Sequence, residues 1–239
     1  MSVFIRSLLF NVLLVAWTMF IFTLLSPLIF FKNPKLMSIL GIVWSYIMLK
    51  ALKIICNIKI EVQGVENLPN LPCIIACKHQ SAIETIFFLQ YLKFSVYVVK
   101  KELLNIPFYG WFLKNMGMIP IDRKGGMSAL KQLLKDSEEA LKENRSIIIF
   151  PEGTRVKPFA STNYHVGIVA LHNKFPNIPI LPVAVNSGLF WSKNSWRKYP
   201  GTVIFKLLPP ITKKFDKKVL LQHLKKTIDK HSNELCKTG

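Results

Sequence analysis

An imidazole and a carboxylate stand close together in the run Lys78-His-Gln-Ser-Ala-Ile-Glu84, and a turn ending in a guanidinium, Phe150-Pro-Glu-Gly-Thr-Arg155, follows downstream. A neutral histidine such as His79 can take the proton of a hydroxyl if an acceptor orients its other nitrogen. Glu84, a helical turn further on, can fold back to supply that acceptor. Arginine grips a phosphate through two parallel hydrogen bonds, and lysine adds a point charge. Three stretches offer such cations: Val99-Lys100-Lys101-Glu102, Gly117-Met-Ile-Pro-Ile-Asp-Arg123, and the Arg155 turn, where Gly153 permits a close backbone approach. A base beside an anion clamp suits transfer chemistry on a phosphorylated alcohol.

Each motif also has a plainer use. Ser81-Ala-Ile-Glu84 fits a capping box, in which Glu84 would satisfy a helix start and do no chemistry. A basic loop is commonplace in a chain with 32 Lys+Arg against 13 Asp+Glu. Glu152 is expected to bond loop amides or to pair with an arginine. His165 is expected at the surface.

The elements that must position these residues are legible as short apolar runs. Residues 58–62, 73–77, 95–99, 118–121, 146–150, 180–186 and 203–207 read as seven strands. Helical patterns cover 81–92, 102–115, 127–143, 163–174 and 216–235. Ser146-Ile-Ile-Ile-Phe150 and Ile180-Leu-Pro-Val-Ala-Val185 are apolar on both faces, as in a covered parallel sheet. The expectation is an α/β fold with a roughly seven-stranded, largely parallel sheet flanked by helices, over residues 58–239. His79 then falls at the carboxyl end of a strand, where such sheets place their sites.

Residues 7–31 carry no charge, and as a helix would extend roughly 38 Å, enough to cross a bilayer core. Pro27 is placed to kink or end it. No small-x-small cleavage site follows the run, so a retained anchor is favoured over a signal peptide. After Lys32-Asn33-Pro34-Lys35 a second uncharged stretch, 36–49, continues as an amphipathic pattern through Lys50 and Lys53. So short a connection makes the two helices nearly antiparallel. One span with an interfacial helix, or a hairpin dipping into one leaflet, both fit, with residues 1–57 as a two-helix membrane anchor.

A net charge of +19 with 51% hydrophobic residues favours an anionic membrane surface over nucleic acid, for which no binding motif is present. No acidic residue precedes Glu61, whereas Arg6, Lys32, Lys35, Lys50, Lys53 and Lys59 are basic. Most of these follow the first apolar run, so the positive-inside rule puts the α/β domain on the cytoplasmic side of an inner (plasma) membrane. Cys56, Cys73, Cys77 and Cys236 lack metal or redox spacing and read as buried thiols. No Gly-x-Ser-x-Gly turn exists to support a serine hydrolase.

The two leading motifs together resemble the glycerolipid acyltransferases. That family shares a His-x4-Asp motif with His as the base and Asp orienting it. This chain carries His-x4-Glu, a form that some members with Lys-His-Gln-Ser ahead of the Glu also show. Phe150-Pro-Glu-Gly-Thr-Arg155 matches the third family motif, Arg123 closes the second, and Ile178-Pro-Ile-Leu-Pro-Val-Ala-Val-Asn186 fits the fourth. The resemblance covers residues 60–207. It implies that His79 and Glu84 are catalytic, and that Lys100, Arg123, Glu152, Gly153, Thr154 and Arg155 bind a substrate phosphate. It implies acyl transfer from acyl-CoA or acyl-carrier protein to the sn-2 hydroxyl of lysophosphatidic acid, giving phosphatidic acid with no cofactor and no metal. Another lysolipid acceptor, a phospholipid donor, or a non-catalytic membrane lipid-binding protein are the alternatives.

Overall fold

The computed structural model describes residues 1–25, 33–70 and 72–238. Pro27 and Lys32, invoked above, lie outside them. Two long helices come first. Helix α1 (Val3–Leu25) is apolar on every side. Helix α2 (Pro34–Cys56) opens on Asn33, whose side chain accepts the Leu36 N–H at 3.0 Å, with Pro34 in the first turn. It closes at Asn57, which turns left-handed at φ 53°. The contacts between them run in opposite senses. Trp44 Nε1 donates to Thr18 Oγ1 at 3.1 Å, while Cys56 Sγ reaches the Arg6 carbonyl, so the pair is antiparallel as expected.

Both helices are long and apolar enough to cross a membrane. Phe4, Leu8, Val12, Val15, Met19 and Leu24 leave a row of uncovered apolar side chains on α1, which suits the chain to membrane association. Yet the start of α1 is tied to the rest of the molecule. Ser7 Oγ accepts the Lys198 N–H at 2.8 Å, Asn11 Nδ2 donates to the Trp196 carbonyl at 3.0 Å, and Phe4 meets Trp196 edge-on. Lys198 itself is buried over the Trp191 ring, and burial lowers its ammonium to about 8.

From Ile58 the chain alternates between strand and helix. The strands are β1 (Ile58–Gln63), β2 (Ile74–Cys77), β3 (Val96–Lys100), β4 (Ile119–Ile121), β5 (Ile147–Ile149), β6 (Ile180–Val185) and β7 (Gly201–Leu207). All seven expected strands are present, in one sheet ordered β1-β7-β6-β2-β5-β3-β4. The run from β6 to β4 is parallel throughout, and β7 pairs antiparallel with β6 and parallel with β1. Strands β2, β5 and β6 are buried along their whole length, which explains their unbroken apolar sequences.

The intervening helices are α3 (Ile83–Tyr91), α4 (Tyr109–Asn115), α5 (Gly126–Lys142), α6 (Gly167–Lys174) and α7 (Lys217–Thr238). Helix α2 touches both α3 and α4, and α6 touches both α5 and α7, so the helices fall into two groups. The β2-to-β3 crossover runs one way along the sheet and the β5-to-β6 crossover runs back. Strands β2 and β5 are neighbours whose following helices go to opposite faces, so the crevice at their carboxyl ends is the topological switch point.

Two expected helices are shorter than their patterns. The 102–115 pattern breaks into a 3-10 turn at Lys101–Asn105 and α4, because Pro107 favours an extended Ile106 and Phe108 takes φ 59°. The 163–174 pattern yields helix only from Gly167, leaving 163–166 as loop.

Candidate active site

Strands β2, β5 and β6 lie side by side, and the segments leaving their carboxyl ends carry His79, Glu152 to Arg155, and Ser187. Lys100 ends β3 and Arg123 follows β4 at the same edge of the sheet. The topology thus gathers residues distant in sequence into one crevice. The β2 and β5 loops are laced together, since His79 N–H donates to Glu152 Oε1 at 3.3 Å and the His79 carbonyl accepts the Val156 N–H at 2.8 Å.

His79 Nδ1 lies 3.1 Å from Glu84 Oε2, a carboxylate with no solvent exposure. The Phe150 ring stacks on the imidazole with centroids 4.0 Å apart and planes 17° from parallel. A ring fixed by an edge bond and a face contact presents its remaining nitrogen, Nε2, to the cavity that His79 lines. Glu84 also accepts the Ser81 N–H at 2.9 Å, and Ser81 Oγ accepts the Ile83 N–H at 3.2 Å. Glu84 therefore has the geometry for both readings at once. One carboxylate closes the helix entrance and meets the imidazole, which its buried position and paired oxygens allow.

The cavity is about 760 Å³ and has two characters. Lys100, Arg123, Gly153, Thr154 and Arg155 stand on its polar wall, and Ile21, Phe22, Trp44, Leu89, Phe112 and Met116 on its apolar wall. Helices α1 and α2 therefore contribute directly to the cavity. Among the described residues no carboxylate pairs with Arg123 or Arg155, whereas Lys100 sits 3.2 Å from Glu102. Gly153 holds φ 65°, and a Cβ there would come within 2.7 Å of His165 and 3.4 Å of the Arg123 guanidinium. Only glycine fits that crossing of backbone and side chains. His165 is thus exposed, as expected, but on the wall of the cavity rather than away from it.

Glu152 meets the expectation of a bonded loop amide, through the His79 N–H, and departs from it in its charged partner. Its carboxylate turns inward, away from the cavity wall, and pairs with a lysine rather than an arginine. Lys78 Nζ lies 3.4 Å from Glu152 Oε1 and 2.5 Å from Asp229 Oδ1 of α7. Asp229 accepts further from Ser161 Oγ at 2.9 Å. One buried cation between two carboxylates leaves one charge over, and burial pushes Glu152 up to about 7 against the opposing pull of Lys78. The folded protein then keeps a proton on Glu152 that the unfolded chain loses near its ordinary 4.5. The stability Glu152 contributes is complete below that value and is lost as pH rises through about 7. Thermal unfolding in detergent should show this decline in the parent, and a flatter profile in Glu152→Gln. Identical slopes would remove Glu152 as the titrating group.

Lys78, Gln80, Ser187 and Asp229 were not singled out by sequence. Asp229 had one available signal, an acid next to the buried stripe Leu220, Leu224, Ile228 and Ser232 of α7. Ser187 had none. All four cysteines are buried and unpaired, and burial raises the thiol of Cys77 well above its usual range.

The Acyltransferase family matches residues 59–186, which hold both loops and the β6 strand. The chain is 42% identical to the 1-acyl-sn-glycerol-3-phosphate acyltransferase of Pseudomonas aeruginosa over 151 residues, 63% of this chain and 58% of that protein. It is 33% identical to the enzyme of the same name from Helicobacter pylori over 174 residues, 68% of this chain and 70% of that one. The match covers 49% of the corresponding Cocos nucifera protein, so the chain spans about half to 70% of the length of these three relatives. The crystal structure of the Thermotoga maritima 1-acyl-sn-glycerophosphate acyltransferase superposes with a TM-score of 0.76 over 98% of both chains at 21% identity, a likeness of fold. With the match over residues 59–186 and these relatives, the chain belongs to the glycerolipid acyltransferase family.

Proposed function

We propose that the protein transfers an acyl chain from an acyl thioester, acyl-CoA or acyl-carrier protein, to the sn-2 hydroxyl of 1-acyl-glycerol-3-phosphate, forming phosphatidic acid. The observation that carries this reading is the His79–Glu84 pair opening onto a cavity with apolar side chains on one wall and, on the other, arginines that no carboxylate among the described residues pairs with. His79 Nε2 accepts the hydroxyl proton as the acceptor oxygen bonds to the thioester carbonyl carbon. The carbon–sulfur bond then breaks as the carbonyl re-forms, and the imidazolium returns its proton to the departing thiolate. Glu84 holds the Nδ1 proton and faces the positive charge that develops on the ring. The acceptor oxygen is itself the nucleophile, so no acyl-enzyme is needed.

Lys100, Arg123 and Arg155 hold the phosphate, with Gly153 and Thr154 shaping the loop around it. Glu152 supports that loop from beneath, through Lys78 and the His79 amide. The apolar wall built by α1, α2 and α4 takes hydrocarbon chains, a role that fits helices whose outer faces are uncovered apolar surface. Residues 1–57 anchor the catalytic domain, 58–239, at the cytoplasmic face of an inner (plasma) membrane. Lys35, Lys50 and Lys53 there meet anionic head groups.

The test is an assay of the purified protein with labelled acyl-CoA and acyl-carrier protein against a panel of lysolipids. Lysophosphatidic acid should be the preferred acceptor, and monoacylglycerol, which lacks the phosphate, a poor one. Arg155→Ala should lower kcat/KM for lysophosphatidic acid about tenfold to a hundredfold, the scale of one charge-assisted hydrogen bond of about 1.5–3 kcal/mol. Its residual rate with monoacylglycerol should be unchanged. Equal losses on both acceptors would place Arg155 outside the phosphate site, and preferred turnover of a zwitterionic lysolipid would replace the proposed acceptor.

A further inference from the structure

Glu84 Oε2 is occupied by His79 Nδ1 and the Ser81 amide, and what holds the other oxygen decides whether that arrangement is rigid. Oε1 receives the Gln80 and Ser81 amides at 3.4 and 3.2 Å, both long. Its close donor is the hydroxyl of Ser187, from the turn that leaves β6. Ser187 and Glu84 are both without solvent exposure, so neither can exchange this bond for water.

The turn that presents Ser187 is braced on three sides. Asn186 Oδ1 accepts the Ile204 N–H of β7 at 2.8 Å. The Gly188 N–H donates to Gln80 Oε1 at 3.0 Å, and a Cβ at Gly188 would come within 2.9 Å of Pro158 and 3.0 Å of Gln80. The Ser187 carbonyl accepts the Phe190 and Trp191 amides at 3.1 and 3.0 Å. Ser187 therefore reaches Glu84 from a turn tied both to β7 and, through Gln80, to the loop that carries His79.

We propose that Ser187 is a positioning residue for the acyl transfer: its hydroxyl pins Glu84 Oε1, which commits Oε2 to His79 and keeps the imidazole proton on Nδ1. The proposal rests on the reading of His79 as the base. A glutamate has one more rotatable bond than the aspartate of the common family motif, and a buried donor on its far oxygen removes that freedom. Ser187 touches no substrate in this scheme and acts through Glu84 alone.

The experiment is a double-substitution cycle on the purified, detergent-solubilised protein. Ser187→Ala should lower kcat about tenfold to a hundredfold, the scale on which residues that orient a functional group act, with KM for the lysolipid nearly unchanged. In a Glu84→Gln background the same change should cost no further activity, because the group it orients is already gone. Ser187→Thr, which keeps the hydroxyl, should recover most of the loss, and Ser187→Cys serves if the added methyl prevents folding. A second readout needs no turnover. In the 15N spectrum of the histidine rings, His79 (assigned by its loss in His79→Ala) should be the Nδ1–H tautomer in the parent. It should shift toward Nε2–H in Ser187→Ala.

Wild-type turnover in Ser187→Ala, or an equal loss in both backgrounds, would overturn the proposal and leave Ser187 a packing residue. An unchanged tautomer would do the same. If His79→Ala proves fully active, the acyl-transfer reading fails by itself, while the tautomer measurement still decides whether Ser187 governs His79.

Discussion

His79→Ala is expected to lower turnover with lysophosphatidic acid by about three orders of magnitude, within the roughly 10²- to 10⁴-fold that a positioned acid or base contributes. The expectation follows from where the ring sits. Its Nδ1 is spent on a buried carboxylate, its face is covered by Phe150, and Nε2 is left for the cavity. The fold should survive, because the bonds that tie this loop to its neighbours use the His79 backbone amide and carbonyl, which alanine retains. Circular dichroism and the unfolding midpoint should stay close to the parent while kcat collapses. A folded His79→Ala protein with parental turnover would mean that the hydroxyl loses its proton to another group, and the proposed chemistry would have to be abandoned.

The seven strands and the edge of the sheet where the motifs gather were readable because each is a local property. A strand buried on both faces must be a short apolar run, and a loop after it carries whatever polar residues the crevice needs. The pairing of β6 with β7 was not readable, since nothing in either strand distinguishes a parallel from an antiparallel neighbour. The break in 102–115 was in principle visible at Pro107. The pattern on either side was helical, however, and Phe108 gives no sequence sign of a left-handed backbone.

The side-chain partnerships under the site were the least legible part, and for a physical reason. Lys78 with Asp229, and Glu84 with Ser187, join residues 151 and 103 positions apart. Each pair is invisible until the strands are ordered, because a lysine before a histidine or a serine after a strand is individually unremarkable in type. Glu152 shows the same limit from the other side. Its place in a motif suggested the phosphate wall, yet the left-handed turn at Gly153 sends Thr154 and Arg155 to the cavity while Glu152 points inward to Lys78.

That inward network supports the last expectation, a loss of stability rather than of chemistry. Lys78→Met keeps most of the unbranched side chain but removes the ammonium between Glu152 and Asp229, whose side chains are 0% and 16% exposed. Deleting one partner of a buried ionic group costs about 3–5 kcal/mol, because the remaining charges stay desolvated with nothing opposite them. Two carboxylates left facing each other should make the loss greatest above neutral pH. It should shrink on acidification, as Glu152 takes up the proton that its buried site already favours. Chemical unfolding at pH 5 and pH 8 reads this directly, with a larger gap between variant and parent at pH 8. Adding Glu152→Gln and Asp229→Asn to Lys78→Met should restore much of the stability at pH 8, since a neutral buried trio needs no cation. A variant as stable as the parent at both pH values would mean that the two carboxylates do not depend on Lys78. The link from α7 to the floor of the site would then be packing alone.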